Sequence, residues 1–137
     1  MNVSSFLEEF SRWAKTQADI EAAALVGSYA RDAATTESDI DLMILTTKLS
    51  SYFQDQIWVS QFGEVEESKA ENWGRVETLR VFYKGAIEVE YNFSTPDWAD
   101  IPVDAGTHSV ISDGMKILSD PQGILERLQQ EMNISQV

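Results

Sequence analysis

The chain reads as an α/β (α+β) fold, a mixed β-sheet flanked by helices. Three observations predict it. Phe6, Phe10 and Trp13 recur at helical period near the N-terminus. Asp39 to Thr46 alternates as a strand does, with Ile40, Leu42 and Ile44 facing one way and Asp39, Asp41 and Met43 the other. Thr78 to Tyr83 and Ala86 to Phe93 are rich in β-branched and aromatic residues and flank Lys84-Gly85, which reads as a hairpin. Helices interspersed with strands, some of them joined by a hairpin, make a mixed sheet with helices packed on it.

In chain order, the first element is a helix from about Ser5 to Ala18, where Ser5 and Glu8 have capping-box spacing. A short buried strand over Ala23 to Val26 ends at Gly27-Ser28, and a brief helical turn follows through Tyr29–Ala34. The polar loop Thr35-Thr36-Glu37-Ser38 leads into the Asp39 strand. Ser50 to Gln61 looks helical and stops near Gly63. After the hairpin, Thr95-Pro96 starts a short helix by cap and proline placement. A helix near Val110, a strand near Met115–Leu118, a turn at Asp120-Pro121 and a helix carrying Ile124, Leu125 and Leu128 complete the chain.

Composition narrows the chemistry. The 137 residues suffice for one domain, and a hydrophobic fraction of 43% argues against disorder. Ten Lys and Arg stand against 23 Asp and Glu, a net charge of -13. Nucleic-acid binding draws its affinity from cations meeting phosphates, so this balance argues against such a partner and suits a cationic small molecule or a basic protein. No apolar run approaches the ~20 residues of a membrane helix, so no membrane role is expected. Glu8 and Glu9 stand where a secretory signal needs its apolar core, so a cytoplasmic protein is expected. With no cysteine, thiolate catalysis and disulfides are excluded; with His108 as the one histidine, a histidine-based triad has little scope.

The informative stretch is GSYARDAATTESDIDLMIL, Gly27 to Leu45. A glycine closing a strand and opening a helical turn lets backbone approach a ligand closely. The free amides of that turn, with the Ser28 hydroxyl, suit a phosphate. Asp39 and Asp41 lie ~6.6 Å apart at Cα on one strand face, where two like charges repel unless a cation lies between them. Hard divalent cations take oxygen ligands of this kind. After Asp41 the chain continues Leu-Met-Ile-Leu, which no EF-hand loop would. The acids open their strand rather than close it. About fifty residues on, Glu88, Glu90 and Asn92 share a face opposite Ile87, Val89 and Tyr91, so either glutamate can add a third carboxylate if the two strands are neighbours.

Together, Gly27-Ser28, Ala30-Arg31, Ser38-Asp39-Ile40-Asp41-Leu42 and the later strand acid resemble the DNA polymerase β-like nucleotidyltransferase superfamily. The likeness is to its minimal and antibiotic-modifying adenylyltransferase branches. It is strong over about Leu25 to Leu45 and weaker over Arg80 to Phe93. One departure is Asp32, where many members have glycine. The resemblance implies a palm-like catalytic core over about 20–95 and a C-terminal extension over about 96–137. It implies nucleotide binding by Gly27, Ser28, Arg31 and Ser38. Asp39, Asp41 and Glu90, or Glu88 in its place, would bind two Mg2+ ions, and Glu90 is preferred. The implied reaction moves a nucleoside monophosphate from a nucleoside triphosphate, ATP first among candidates, to a hydroxyl of a small molecule or protein. Only Thr95 to Val137 remains for gripping the acceptor, so it sits in a shallow groove or a homodimer partner completes the wall.

A second reading is an antitoxin-like interaction protein that binds a helical toxin, for which a stripe of Phe53, Ile57 and Trp58 would serve. Elsewhere packing is the simpler expectation. Trp13 and Trp58 sit at helical spacing, Trp73 and Trp98 flank the hairpin as core or rim, and His108 is a surface residue. Arg80 is the basic residue placed to meet either the acids or a triphosphate.

Overall fold

The computed structural model describes residues 2–35, 38–100 and 103–135. Its helices are α1 (Val3–Thr16), α2 (Gly27–Ala30), α3 (Leu49–Gln54), α4 (Ala105–Ser112) and α5 (Ile124–Ser135). The strands are β1 (Ile20–Val26), β2 (Ile40–Thr46), β3 (Val65–Asn72), β4 (Glu77–Tyr83), β5 (Ile87–Ser94) and β6 (Met115–Ser119). Two 3-10 turns, Ile57–Gln61 and Pro96–Ala99, punctuate them. All six strands form one sheet in the order β3-β4-β5-β2-β1-β6. Its neighbours are antiparallel except β2 and β5, which run parallel. This is the mixed sheet with flanking helices that the sequence predicts.

The period-two pattern sorts the side chains onto two faces. On one, Ile40, Leu42 and Ile44 of β2 join Tyr91 and Phe93 of β5 and Leu79 and Val81 of β4, under Phe6 and Phe10 of α1. On the other, Met43 and Leu45 meet Trp98, Ile111, Leu125 and Leu128 from the C-terminal elements. Those C-terminal elements cover the β1–β2 part of that face. The acids of β2 and β5 lie on the same face beyond the cover, at the N-terminal ends of their strands. Inside the first layer Tyr83 and Tyr91 touch hydroxyl to hydroxyl at 2.8 Å, and Tyr83 Oη donates to the Val59 carbonyl at 2.8 Å. The one proton of Tyr83 being committed there, Tyr91 is the donor between the two.

Several boundaries differ from expectation, each for a local reason. The Asn2 side chain accepts from the Ser5 N–H at 2.9 Å, so Asn2 caps α1 in place of Ser5 and the helix starts at Val3. Gln17 has extended backbone (φ -92, ψ 106), which ends α1 at Thr16 rather than Ala18. β1 starts earlier than expected, at Ile20, because its first residues pair with the end of β2. The helical turn after it is Gly27–Ala30, not Tyr29–Ala34, and Asp39 lies just ahead of its strand. In the polar loop, Thr36 and Glu37 lie outside the described residues.

The expected helix Ser50–Gln61 is broken. Asp55 is extended (φ -124, ψ 108), and its carboxylate accepts from the Ile57 N–H at 3.1 Å to start a 3-10 turn. The break turns Trp58 inward, where its indole stacks on Trp13 (5.0 Å, 6°) and its Nε1–H donates to the Tyr52 carbonyl. Phe53 packs edge-on against Phe93. Of the anticipated interaction stripe only Ile57, at 76% exposure, faces outward, so Phe53, Ile57 and Trp58 do not form a continuous exposed stripe.

β3 has no counterpart in the sequence pattern. Its residues, VEESKAEN, show no apolar alternation, and most are exposed. It is an edge strand held by pairing with β4 alone, and its charges keep that edge from templating further strands.

Asp19, in the turn before β1, ties the two layers of this end together. Its Oδ2 accepts from the Thr46 and Tyr52 hydroxyls, each at 2.7 Å. Burial pushes its carboxyl up, but those two bonds outweigh it and hold the group below the ordinary 3.8. A depressed carboxyl stabilises the fold above its unfolded-state value, and the contribution fades as pH falls through the folded-state value. Asp19→Ala should therefore lower the unfolding free energy by about 1–3 kcal/mol in urea titrations at pH 7. The gap from wild type should shrink as the titrations are repeated below pH 3.8.

Candidate active site

Parallel pairing of β2 and β5 sets Asp41 opposite Glu90, one step on from Ile40 opposite Val89. With Asp39 immediately before β2, carboxylate oxygens of Asp39, Asp41 and Glu90 all come within 4.8 Å of one another. An all-oxygen set of half-buried carboxylates is the donor set a hard divalent cation requires. Glu88, the other glutamate expected as a ligand, lies outside this group. The register puts Glu90, not Glu88, beside Asp41, and Glu88 instead meets the Arg80 guanidinium at 3.3 Å.

Crowding raises the proton affinity of Glu90. Burial, then hydrogen bonds with Asp41 and Asp39 and their like charges, push its carboxyl up to about 9. The Arg80 guanidinium opposes this, with Nη1 at 2.5 Å from Glu90 Oε1. Arg80 is the cross-strand neighbour of Glu90 and also donates from Nε to Glu71 at 2.9 Å. Of the two roles open to Arg80 in the sequence, the structure realises pairing with the acids.

Gly27 is held to glycine twice over. Its φ is +72, and a Cβ built on it would stand 2.9 Å from Asp41 Oδ2 and 3.2 Å from Asp41 Cβ. The close approach expected toward a ligand is therefore an approach to the Asp41 side chain itself. α2 is a single turn starting at Gly27, so its macrodipole is slight, and what it offers an anion is its first amides and the Ser28 hydroxyl. Ser38 immediately precedes Asp39. Its hydroxyl accepts from the Thr35 N–H at 2.9 Å and shapes the loop before Asp39. Arg31 is exposed at the end of α2. Asp32 has φ 56, in the left-handed region that favours glycine. Its carboxylate pairs with Lys116 at 2.8 Å on the surface.

Asn92 is the site residue that sequence reasoning passed over. Its Nδ2 donates to Asp41 Oδ1 and to the Leu42 carbonyl, both at 2.9 Å, and its Oδ1 accepts from the Thr78 hydroxyl at 2.6 Å. It fixes the rotamer of Asp41 from the neighbouring strand. The signal was its place two residues beyond Glu90 on the acidic face. Trp98 is buried at 4%, as expected, but Trp73 is 66% exposed and is not a packing residue. His108 is exposed, as read. A cleft of about 260 Å³ opens beside Gly27 and Asp41.

Residues 8–72 match the family model described as polymerase beta, nucleotidyltransferase. The match spans Gly27-Ser28 and the Asp39/Asp41 pair and ends before β5. Among solved structures of similar fold is an aminoglycoside 6-adenyltransferase from Bacillus subtilis, with a TM-score of 0.59 and 12% identity. The alignment covers 72% of this chain and 37% of that one, so the chain spans little more than a third of that protein. At this identity the likeness is one of fold. No curated protein matches the chain. Among the described residues no helix is long and apolar enough to cross a membrane.

Two outcomes test the geometry without any substrate. Gly27→Ala should cost about 1–2 kcal/mol in chemical denaturation from the left-handed backbone alone. A carboxyl raised above its ordinary 4.5 favours the fold fully below that value and works against it as pH rises toward about 9. Asp39→Asn relieves one of the charges responsible, so in metal-free buffer at pH 8 it should raise the melting midpoint by about 2–5 °C, with little change at pH 4.

Proposed function

We propose that this chain, which carries a polymerase β-like nucleotidyltransferase domain, transfers a nucleoside monophosphate from a nucleoside triphosphate to a hydroxyl group. The observation that carries this reading is the convergence of Asp39, Asp41 and Glu90, with carboxylate oxygens within 4.8 Å of one another beside the Gly27-Ser28 turn. Magnesium held by these three acids would lower the pKa of the acceptor hydroxyl and neutralise charge gathering on the departing oxygens, the chemistry two-metal sites supply. When ionised, the three side chains present acceptor oxygens and no donor, which suits them to hold cations.

The acceptor oxygen attacks the α-phosphorus, the bond from that phosphorus to the bridging oxygen breaks, and pyrophosphate leaves with the electron pair. The hydroxyl proton passes to a carboxylate on the acceptor side of the triad. Gly27 and Ser28 hold the phosphate chain through backbone amides and the Ser28 hydroxyl. Asn92 keeps Asp41 aimed at the site, and Arg80 supplies Glu90 with a counter-charge.

For the acceptor, charge supports an amine-bearing small molecule. Glu71 and Glu88 flank the triad on the far side of Arg80, and the chain as a whole carries -13. The similarly folded Bacillus subtilis protein is an aminoglycoside adenyltransferase, and an aminoglycoside is a fitting first acceptor to assay with ATP.

Incubation with labelled ATP, magnesium and a panel of amine-rich alcohols should give a labelled adduct and pyrophosphate. Asp41→Asn should reduce the rate more than about 100-fold, because even groups that merely orient a ligand typically account for 10–100-fold. Asn92→Ala should fall within that 10–100-fold range, with the loss in kcat rather than in ATP affinity. Transfer that survives Asp39→Ala combined with Asp41→Ala would rule the reading out.

A further inference from the structure

A cleft runs from the acidic triad to an exposed tryptophan, and nothing so far gives it an occupant. Its inner part, about 260 Å³, is walled by Gly27, Asp41 and Met43 on one side and by Val76, Trp98 and Val110 on the other. Its outer part, about 420 Å³, shares Val76, Trp98 and Val110 and ends at Trp73 and Arg75. The outer part alone falls within the ~300–1,000 Å³ of small-molecule sites. The two are one groove, polar where it meets the triad and apolar along its length, with Trp73 66% exposed at its mouth.

Three observations select what it takes. A nucleoside is joined covalently to the α-phosphate, so it must seat in a depression that reaches both the Gly27 turn and the triad. The inner cleft touches Gly27 and Asp41 together. Beyond the Gly27 and Asp41 end the lining offers phosphates no free cation, since Asp113 is acidic and Arg75 in the outer part is engaged by Asp104 and by the Asp97 carbonyl. Between its polar ends, marked by Asp41 and Asp113 within and Asp104 at the mouth, the groove is faced by Val76, Val110 and Trp98, a stretch that suits a flat ring better than a hydroxyl-rich one, whose groups would lose water there. A flat heteroaromatic ring loses nothing there.

We propose that this groove is the nucleobase subsite of the donor nucleotide and that Trp73, at its mouth, stacks on the base. The assignment rests on the nucleotidyltransferase reading. It gives the exposed indole of the β3–β4 turn a purpose that packing does not. The turn that carries it is itself fixed, since the Trp73 N–H donates to the Val76 carbonyl at 2.8 Å and the Gly74 N–H to Asn72 Oδ1 at 2.8 Å. The indole is thus presented on a defined loop rather than a free one. Stacking of this kind accepts any base, so Trp73 contributes affinity and leaves base choice to the groove's interior.

The test compares two probes on the full chain with magnesium present: ATP, and inorganic tripolyphosphate, which lacks base and sugar. Binding is followed calorimetrically and by tryptophan fluorescence. ATP should quench the wild-type emission and tripolyphosphate should not, and the quench should vanish in Trp73→Phe relative to its own baseline. Trp73→Ala should weaken ATP binding about tenfold or more and leave tripolyphosphate binding unchanged, while Trp73→Tyr retains most of the ATP affinity. Because Trp73 is exposed, these variants should keep the wild-type circular dichroism spectrum. If ATP binds wild type and Trp73→Ala equally well, or no better than tripolyphosphate does, the groove is not the base site although the nucleotide reading stands. If neither probe binds wild type, the nucleotidyltransferase reading fails and the subsite with it.

Discussion

Parallel pairing of β2 with β5 is the constraint on which the rest of the molecule depends. It sets Asp41 beside Glu90 near the N-terminal ends of both strands, where Asp39 joins them, and like charges so placed repel. The surrounding groups answer that repulsion. Asn92 donates to Asp41 from the far side, Thr78 holds Asn92 in turn, and Arg80 supplies a guanidinium to Glu90 while sharing it with Glu71 and Glu88. Thr78 is the cross-strand neighbour of Asn92 and Arg80 that of Glu90, and the remaining contacts run diagonally, so the same register sets both the problem and its answer.

Gly27 links this arrangement to the adjoining turn. In a strand-to-turn junction a glycine usually serves the backbone, and here it serves the carboxylate as well, because any side chain at that position would enter the space Asp41 occupies. The Gly27-Ser28 turn and the acidic pair are therefore one packed unit. This gives a steric reason for two short motifs, a dozen residues apart, to occur together.

Much of this was legible in the sequence, for identifiable reasons. β2 and the β4–β5 hairpin carry period-two patterns that survive any context, and the acids on their shared face follow from the same alternation. The preference for Glu90 over Glu88 agrees with the observed register, but only strand pairing over fifty residues could decide it. Three features were not legible. β3 has no apolar face, because apart from Val65 at its start, which packs against the core, it is held by its pairing with β4. The break at Asp55 follows from a side chain capping its own chain two residues on, which helical periodicity does not record. Asn92 has a composition-neutral side chain whose importance comes from the strand beside it.

β3 also couples stability to charge in an unexpected place. Glu71, one of the three acids sharing Arg80, belongs to this outermost strand, whose other side is open to water. Such an edge breathes, peeling from its neighbour at little cost to the core. Whenever it does, Arg80 loses one of its anchors and is left to the acids of β5. The fraying of a surface ribbon thereby modulates how firmly the guanidinium of Arg80 is held to Glu90.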